Sequence, residues 1–156
     1  MKQIINTANA TETEVLAENI GRRLKGGEVI ELIGDLGSGK TTFTRGLAKA
    51  IGSNDRVASP TFTISKLYKG DKLEINHFDF YRLSDAGVIE HEIHDLIGDP
   101  ASVLVIEWGD ILARVLPSQR LTVTIKLTGE EGRAFELSHP DSLGYLTKGL
   151  SYDTDD

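Results

Sequence analysis

The run Gly34-Asp-Leu-Gly-Ser-Gly-Lys-Thr-Thr42 satisfies the spacing G-x-x-x-x-G-K-[ST], and each residue type in it answers a need of a phosphate ligand. Glycines let the backbone curl so that successive N–H groups converge on an anion. Lys40 can reach the outer phosphates of a nucleoside triphosphate as a point charge. The Thr41 hydroxyl can ligate the Mg²⁺ that travels with one. The predicted binding set is therefore Gly34, Asp35, Leu36, Gly37, Ser38, Gly39, Lys40, Thr41 and Thr42. Acids further along could complete a phosphoryl-transfer site. Glu107 follows the continuous apolar run Val103-Leu-Val-Ile106, the position of a Walker B acid. There it would hold Mg²⁺, directly or through water, or orient an attacking water. Asp79 ends another β-rich run and could act as general base or as a water-mediated magnesium ligand. Thr61 follows a proline beyond the loop's helix, where many nucleotide hydrolases keep a switch.

These residues need a strand, a turn and a helix to aim them. Glu28-Val-Ile-Glu-Leu-Ile33 reads as a strand ending at the loop. Phe43, Leu47 and Ile51 recur at helical spacing, so a helix is expected over about 40–51 with Gly52 as its stop. Residues 102–107 read as a strand buried on both faces, parallel to 28–33. In open α/β sheets ligands sit beyond the carboxyl ends of such strands, so Gly34 and Glu107 should face one site. Upstream, residues 2–6 read as an edge strand. Thr11-Glu-Thr-Glu14 has capping-box spacing and should open a helix running to about residue 25, stopped by Gly26-Gly27. Residues 53–59 form a polar connection. Residues 61–68 and 73–79 read as a hairpin about Lys69-Gly-Asp-Lys72, and 84–98 as a charge-rich helix. Residues 121–127 and 134–138 pair as strands. Pro140-Asp141 opens a last helix carrying Leu143, Leu146 and Leu150.

Together these elements predict an α/β fold of the P-loop NTPase type, a three-layer sandwich. Its sheet is central and mostly parallel, with antiparallel additions. A chain of 156 residues fits one domain over 1–150, with an acidic tail over 151–156 expected to fray. With 39% hydrophobic and 26% charged residues it has the balance of a soluble globular protein. It has no cysteine, which excludes disulfides and thiolate metal sites. No apolar run approaches the roughly 20 residues that span a membrane, and the N-terminus lacks a secretory pattern. A formal net charge of −7 argues against a broad nucleic-acid-binding face. His91 and His94 are not spaced as H-E-x-x-H, so the stretch Glu90–Asp95 reads as a solvated helix face rather than a zinc site.

The phosphate loop Gly34–Phe43, Ser59-Pro-Thr-Phe-Thr63, His77-Phe-Asp-Phe-Tyr-Arg-Leu83 and Glu107-Trp108, taken in order and spacing, resemble the bacterial family of tRNA threonylcarbamoyladenosine biosynthesis ATPases, TsaE. The resemblance spans most of the chain. It implies a small cytoplasmic P-loop ATPase. Such a protein works with two partner proteins that transfer a threonylcarbamoyl group to the adenosine beside the anticodon, so tRNA is met through that complex. It implies ATP at 34–42, Mg²⁺ at Thr41 and Glu107, and catalytic roles for Lys40, Asp79 and Glu107. Ser59, Thr61, Tyr81 and Arg82 would belong to the switch and the partner-facing surface, with Trp108 beside them. Arg133 matches a family position that touches the nucleotide, with adenine near residues 8–12. At Glu92-Ile93 the chain departs from the family, which tends to place Gly before the Ile.

Other classes remain open on the residues alone. A small-molecule kinase would need an acceptor pocket and an Arg-bearing lid, and the arginines here are scattered. A GTPase would need N-K-x-D, which the chain lacks. A nucleotide-dependent scaffold would keep the loop without needing Asp79.

Overall fold

The computed structural model describes residues 1–60, 65–81, 87–112 and 115–150. The predicted positions Thr61 and Arg82, and the tail over 151–156, lie outside them. A seven-stranded sheet runs in the order β1-β7-β6-β2-β5-β4-β3. Its strands are β1 (Lys2–Thr7), β2 (Val29–Ile33), β3 (Ser65–Lys69), β4 (Glu74–Asp79), β5 (Ser102–Glu107), β6 (Leu121–Leu127) and β7 (Arg133–Ser138). β6, β2, β5 and β4 pair in parallel, and β1, β7 and β3 add antiparallel edges. The expected central parallel sheet with antiparallel additions is therefore present.

Alternation along the central strands divides the core between two layers. Ile30, Leu32, Val103 and Val105 face α1 (Ala10–Gly21) and α2 (Lys40–Ala50). Val29, Leu104, Ile106 and Phe78 face the other way, toward Ile93 of α3 (Gly87–Leu96) and Leu112. Helices thus cover both faces of the parallel strands, as βα crossovers require. The α2 backbone approaches α1 closely. A Cβ at Gly46 would collide with the Glu14 carbonyl and with Ala17. That contact seats the helix that follows the glycine loop.

Three local expectations fail for identifiable reasons. α1 is capped by Asn9, not Thr11. The Asn9 side chain accepts from Glu12 N at 2.9 Å, and the Glu12 carboxylate accepts from Ala8 N at 2.6 Å. Asn9-x-x-Glu12 has the same spacing as Thr11-x-x-Glu14. The earlier cap leaves Thr13 inside the helix, where its hydroxyl pairs with buried Thr7 at 2.7 Å. The helix then ends at Gly21 rather than near 25, and the chain continues through turns at Arg23 and Leu24. Residues Asp141–Leu146 form a 3-10 turn, not an α-helix. His139 contacts Thr147 Oγ1 at 2.7 Å across this segment, and Thr147 N donates to Gly144 O, so the tighter winding is tied at both ends. Leu143, Leu146 and Leu150 are nonetheless buried.

Candidate active site

Each functional side chain owes its position to a strand end or a helix start. β2 ends at Ile33, and the chain turns through Gly37 (φ 80°) and Gly39 (φ 113°). Only glycine adopts these backbone angles without strain. Gly39 is the N-cap of α2 and supplies no side-chain cap. The first N–H groups of α2 therefore point into the loop with no side chain on them, which suits an anion. Lys40 is 6% exposed, and a buried ammonium needs partners. It donates to Gly34 O at 2.6 Å, lies 3.8 Å from Glu107 and sits 4.5 Å from the centre of the Trp108 ring.

The acids come from adjacent parallel strands. Asp79 of β4 and Glu107 of β5 are register partners at the carboxyl ends of their strands, and both are buried. Asp79 Oδ1 accepts from Tyr81 N at 2.9 Å, and its Oδ2 lies 3.5 Å from Ser59 Oγ. Glu107 Oε2 lies 2.6 Å from His77 Nε2. His77, which stands two residues before Asp79, therefore orients Glu107 rather than Asp79. Its Nδ1 meets the Tyr68 hydroxyl at 3.1 Å, and that hydroxyl donates to Ala58 O at 3.0 Å. Burial pushes the Tyr68 phenol above its ordinary pKa, and the Glu107 charge adds to this, so the hydroxyl keeps its hydrogen at neutral pH.

Trp108 has φ 57°, the one positive value at a non-glycine among the described residues. That conformation costs about 1–2 kcal/mol, and strain of this kind collects at functional sites. Here it turns the indole over Lys40 and against Tyr81, with ring centroids 5.0 Å apart.

Leu36, Gly37, Gly39, Lys40, Thr41, Thr42, Ser59, Asp79, Glu107 and Trp108 line one cleft of about 300 Å³. Every one of them belongs to the motifs legible in the sequence. Gly34 and Asp35 instead line an adjoining recess of about 150 Å³ with Glu31, Trp108 and Asp110. Burial raises the Glu31 pKa there and Asp110 adds to the rise, against the pull of Arg120. Ser38 is buried beneath the loop. Arg133 holds the loop from the side, with Nε on Ser38 O at 2.8 Å and Nη2 near Gly37 O at 3.4 Å. With Thr42, Ala10 and Thr13 it lines a third recess of about 150 Å³. Tyr68 was missed, because its contact depends on strand register. His77 is legible in the sequence only as part of the motif His77-Phe-Asp-Phe-Tyr-Arg-Leu83, and its contact with Glu107 likewise depends on strand pairing.

Thr41 and Glu107 offer the hard oxygen donors that Mg²⁺ prefers. Among the described residues no group of three or more His, Cys, Asp or Glu could hold a metal alone. The donor set therefore fits an ion that brings phosphate and water ligands with it.

A strand that ends in this glycine turn, an uncapped helix start and acids at the next strand ends define an α/β protein of the P-loop type. The family model described as "Threonylcarbamoyl adenosine biosynthesis protein TsaE" matches residues 7–135. A Bacillus subtilis (strain 168) protein named tRNA threonylcarbamoyladenosine biosynthesis protein TsaE is 40% identical over 138 residues, 85% of this chain and 84% of that protein. One of the same name from Aquifex aeolicus is 41% identical over 110 residues, 69% of this chain and 77% of its own. The crystal structure of Bacillus subtilis YdiB superposes with a TM-score of 0.74 at 31% identity, covering 94% of this chain and 91% of that one. The chain belongs to the TsaE family. No described helix is long and apolar enough to cross a membrane.

Proposed function

We propose that this chain is a magnesium-dependent ATPase of tRNA threonylcarbamoyladenosine biosynthesis. In this reading it is weak alone and acts in the cytoplasm by nucleotide-dependent association with two partner proteins that carry out the transfer. One observation carries the reading: Lys40, Thr41, Asp79 and Glu107 line the same cleft at the uncapped start of α2. The family's name supplies the pathway. The N–H groups of the loop and of the first turn of α2 would cradle the phosphates. Lys40 would leave Gly34 O for the outer phosphates. That move would free Glu107 Oε1, the oxygen now nearest Lys40, while His77 keeps its hold on Oε2. Thr41 and Glu107 would hold Mg²⁺, which when bound neutralises phosphate charge. Asp79 would accept the proton of the attacking water or position it. Arg133, besides fixing the loop, borders the recess with Ala10 and Thr13, where the base would lie.

The rim supports the reading that the chain works with partners. Leu36 is 62% and Tyr81 46% exposed, Ser59 is exposed beside them, and Trp108 backs the group. A partner surface laid on this rim would exclude water from the cleft and strengthen its electrostatics. A net charge of −7 suits contact with tRNA through the complex rather than directly. The test is reconstitution of tRNA threonylcarbamoylation from purified components. Repeated turnovers are expected only with this chain and hydrolysable ATP present. Repeated turnovers without it, or partner affinity indifferent to nucleotide, would overturn the proposal.

A further inference from the structure

A line of hydrogen bonds crosses the sheet diagonally beneath the cleft. In the antiparallel β3–β4 pair Tyr68 stands opposite Ile75, so His77 is its diagonal neighbour on the same face. In the parallel β4–β5 pair His77 stands opposite Val105, and Glu107 lies one step further along that face. Diagonal neighbours are within reach of long and aromatic side chains. The contacts follow: Ala58 O to Tyr68 hydroxyl at 3.0 Å, Tyr68 hydroxyl to His77 Nδ1 at 3.1 Å, His77 Nε2 to Glu107 Oε2 at 2.6 Å. Ala58 O and the Glu107 carboxylate can only accept, so the Tyr68 hydroxyl donates to the first and His77 Nε2–H to the second. His77 is fully buried and Tyr68 1% exposed, so neither side chain exchanges these partners for water. The neighbouring residue of the same segment, Ser59, stands 3.5 Å from the other acid, Asp79.

Two successive residues, Ala58 and Ser59, are thus tied to the two acids of the cleft, one directly and one through two side chains. We infer that Tyr68 and His77 are positioning residues that couple the placement of the segment Val57–Ser59 to that of Glu107. The inference rests on the proposed function for its consequence, since a Glu107 held in place by a docked segment is one ready for the metal. No proton needs to move along the line. A partner or nucleotide that pins Ala58 and Ser59 sets both acids at once, which ties hydrolysis to assembly. Outer partners of metal-site residues commonly matter about 10–100-fold.

Tyr68→Phe removes the hydroxyl and keeps the ring that fills the core. In the full chain without nucleotide it is expected to speed amide exchange at Val57–Ser59 by up to about tenfold, the equivalent of one hydrogen bond. It should also shift the emission of Trp108, the only tryptophan in the chain and the neighbour of Glu107. With Mg·ATP and the partners, kcat should fall about tenfold and the Mg²⁺ requirement rise several-fold, at nearly unchanged KM. His77→Gln keeps a donor for Glu107 but cannot span to Tyr68. It should restore most of the Mg²⁺ dependence while Val57–Ser59 stays loose, and if it fails to fold Tyr68→Phe carries the test. Exchange, emission, kcat and Mg²⁺ dependence all within twofold of the parent in Tyr68→Phe would overturn the inference. So would loosened exchange with parental kcat, because Tyr68 would then only anchor the segment. The nucleotide-free arms decide the coupling even if the parent chain hydrolyses no ATP, a result that would overturn the proposed function instead.

Discussion

Lys40→Ala is expected to weaken ATP binding about 10–100-fold and to reduce hydrolysis below detection. Charge-assisted hydrogen bonds contribute about 1.5–3 kcal/mol, and tenfold in affinity corresponds to about 1.4 kcal/mol. Arg133, the other cation at the loop, is committed to the carbonyls of Ser38, Gly37, Glu130 and Gly132. It cannot replace the lost charge without releasing the loop. The loss should fall more heavily on turnover than on binding, since negative charge moves on the phosphoryl oxygens as the bond breaks. Lys40→Arg should fail as well. The ammonium occupies a slot between Gly34 O, Glu107 and the Trp108 ring, and a planar guanidinium does not fit a point-charge site. Isothermal titration with ATP and steady-state hydrolysis check both variants. Unchanged affinity and turnover in Lys40→Ala would remove the loop from the site.

Asp79→Asn and Glu107→Gln should keep nucleotide affinity within a few-fold and lose about a hundredfold or more of hydrolysis. The loop and its N–H groups are untouched in both, so phosphate binding survives. The isosteres matter here. Glu107→Ala would strand a buried Lys40 and a buried His77 without their shared partner and confuse folding with chemistry. The two variants should also differ from each other. Glu107→Gln weakens an oxygen offered to the metal, so raising Mg²⁺ should recover part of its activity. Asp79→Asn removes a proton acceptor, and extra metal should not help. Hydrolysis measured across a magnesium series separates them. A normal rate in Asp79→Asn with partners present would reduce Asp79 to a turn residue that caps Tyr81 N.

Much of this site was legible in the sequence. The loop announces itself because glycines, a lysine and a hydroxyl at fixed spacing follow a β-rich run and precede a helical one. Glu107 was legible because an acid that ends a continuous apolar run sits at the carboxyl end of a buried strand. Asp79 was legible only as a second strand end, and its pairing with Glu107 needed the β4–β5 register. The α1 cap was misplaced because Asn9 and Thr11 each stand three residues before a glutamate. What separates them is a buried Thr7–Thr13 contact that spacing does not encode. The last segment carried helical leucine spacing over so few residues that it could not tell α from 3-10 winding. His77 and Tyr68 were hidden most deeply. Their partners lie across strands, and a one-residue slip in either pairing would point them at the opposite layer.

The most direct test of the account is a crystal structure of the chain with Mg²⁺ and a non-hydrolysable ATP analogue. The phosphates are expected over the start of α2, with Lys40 withdrawn from Gly34 O onto the outer phosphates. The metal should be on Thr41 and on Glu107 directly or through water, and Asp79 should face the line of attack. A nucleotide bound in another recess, or a metal that touches neither Thr41 nor Glu107, would contradict it.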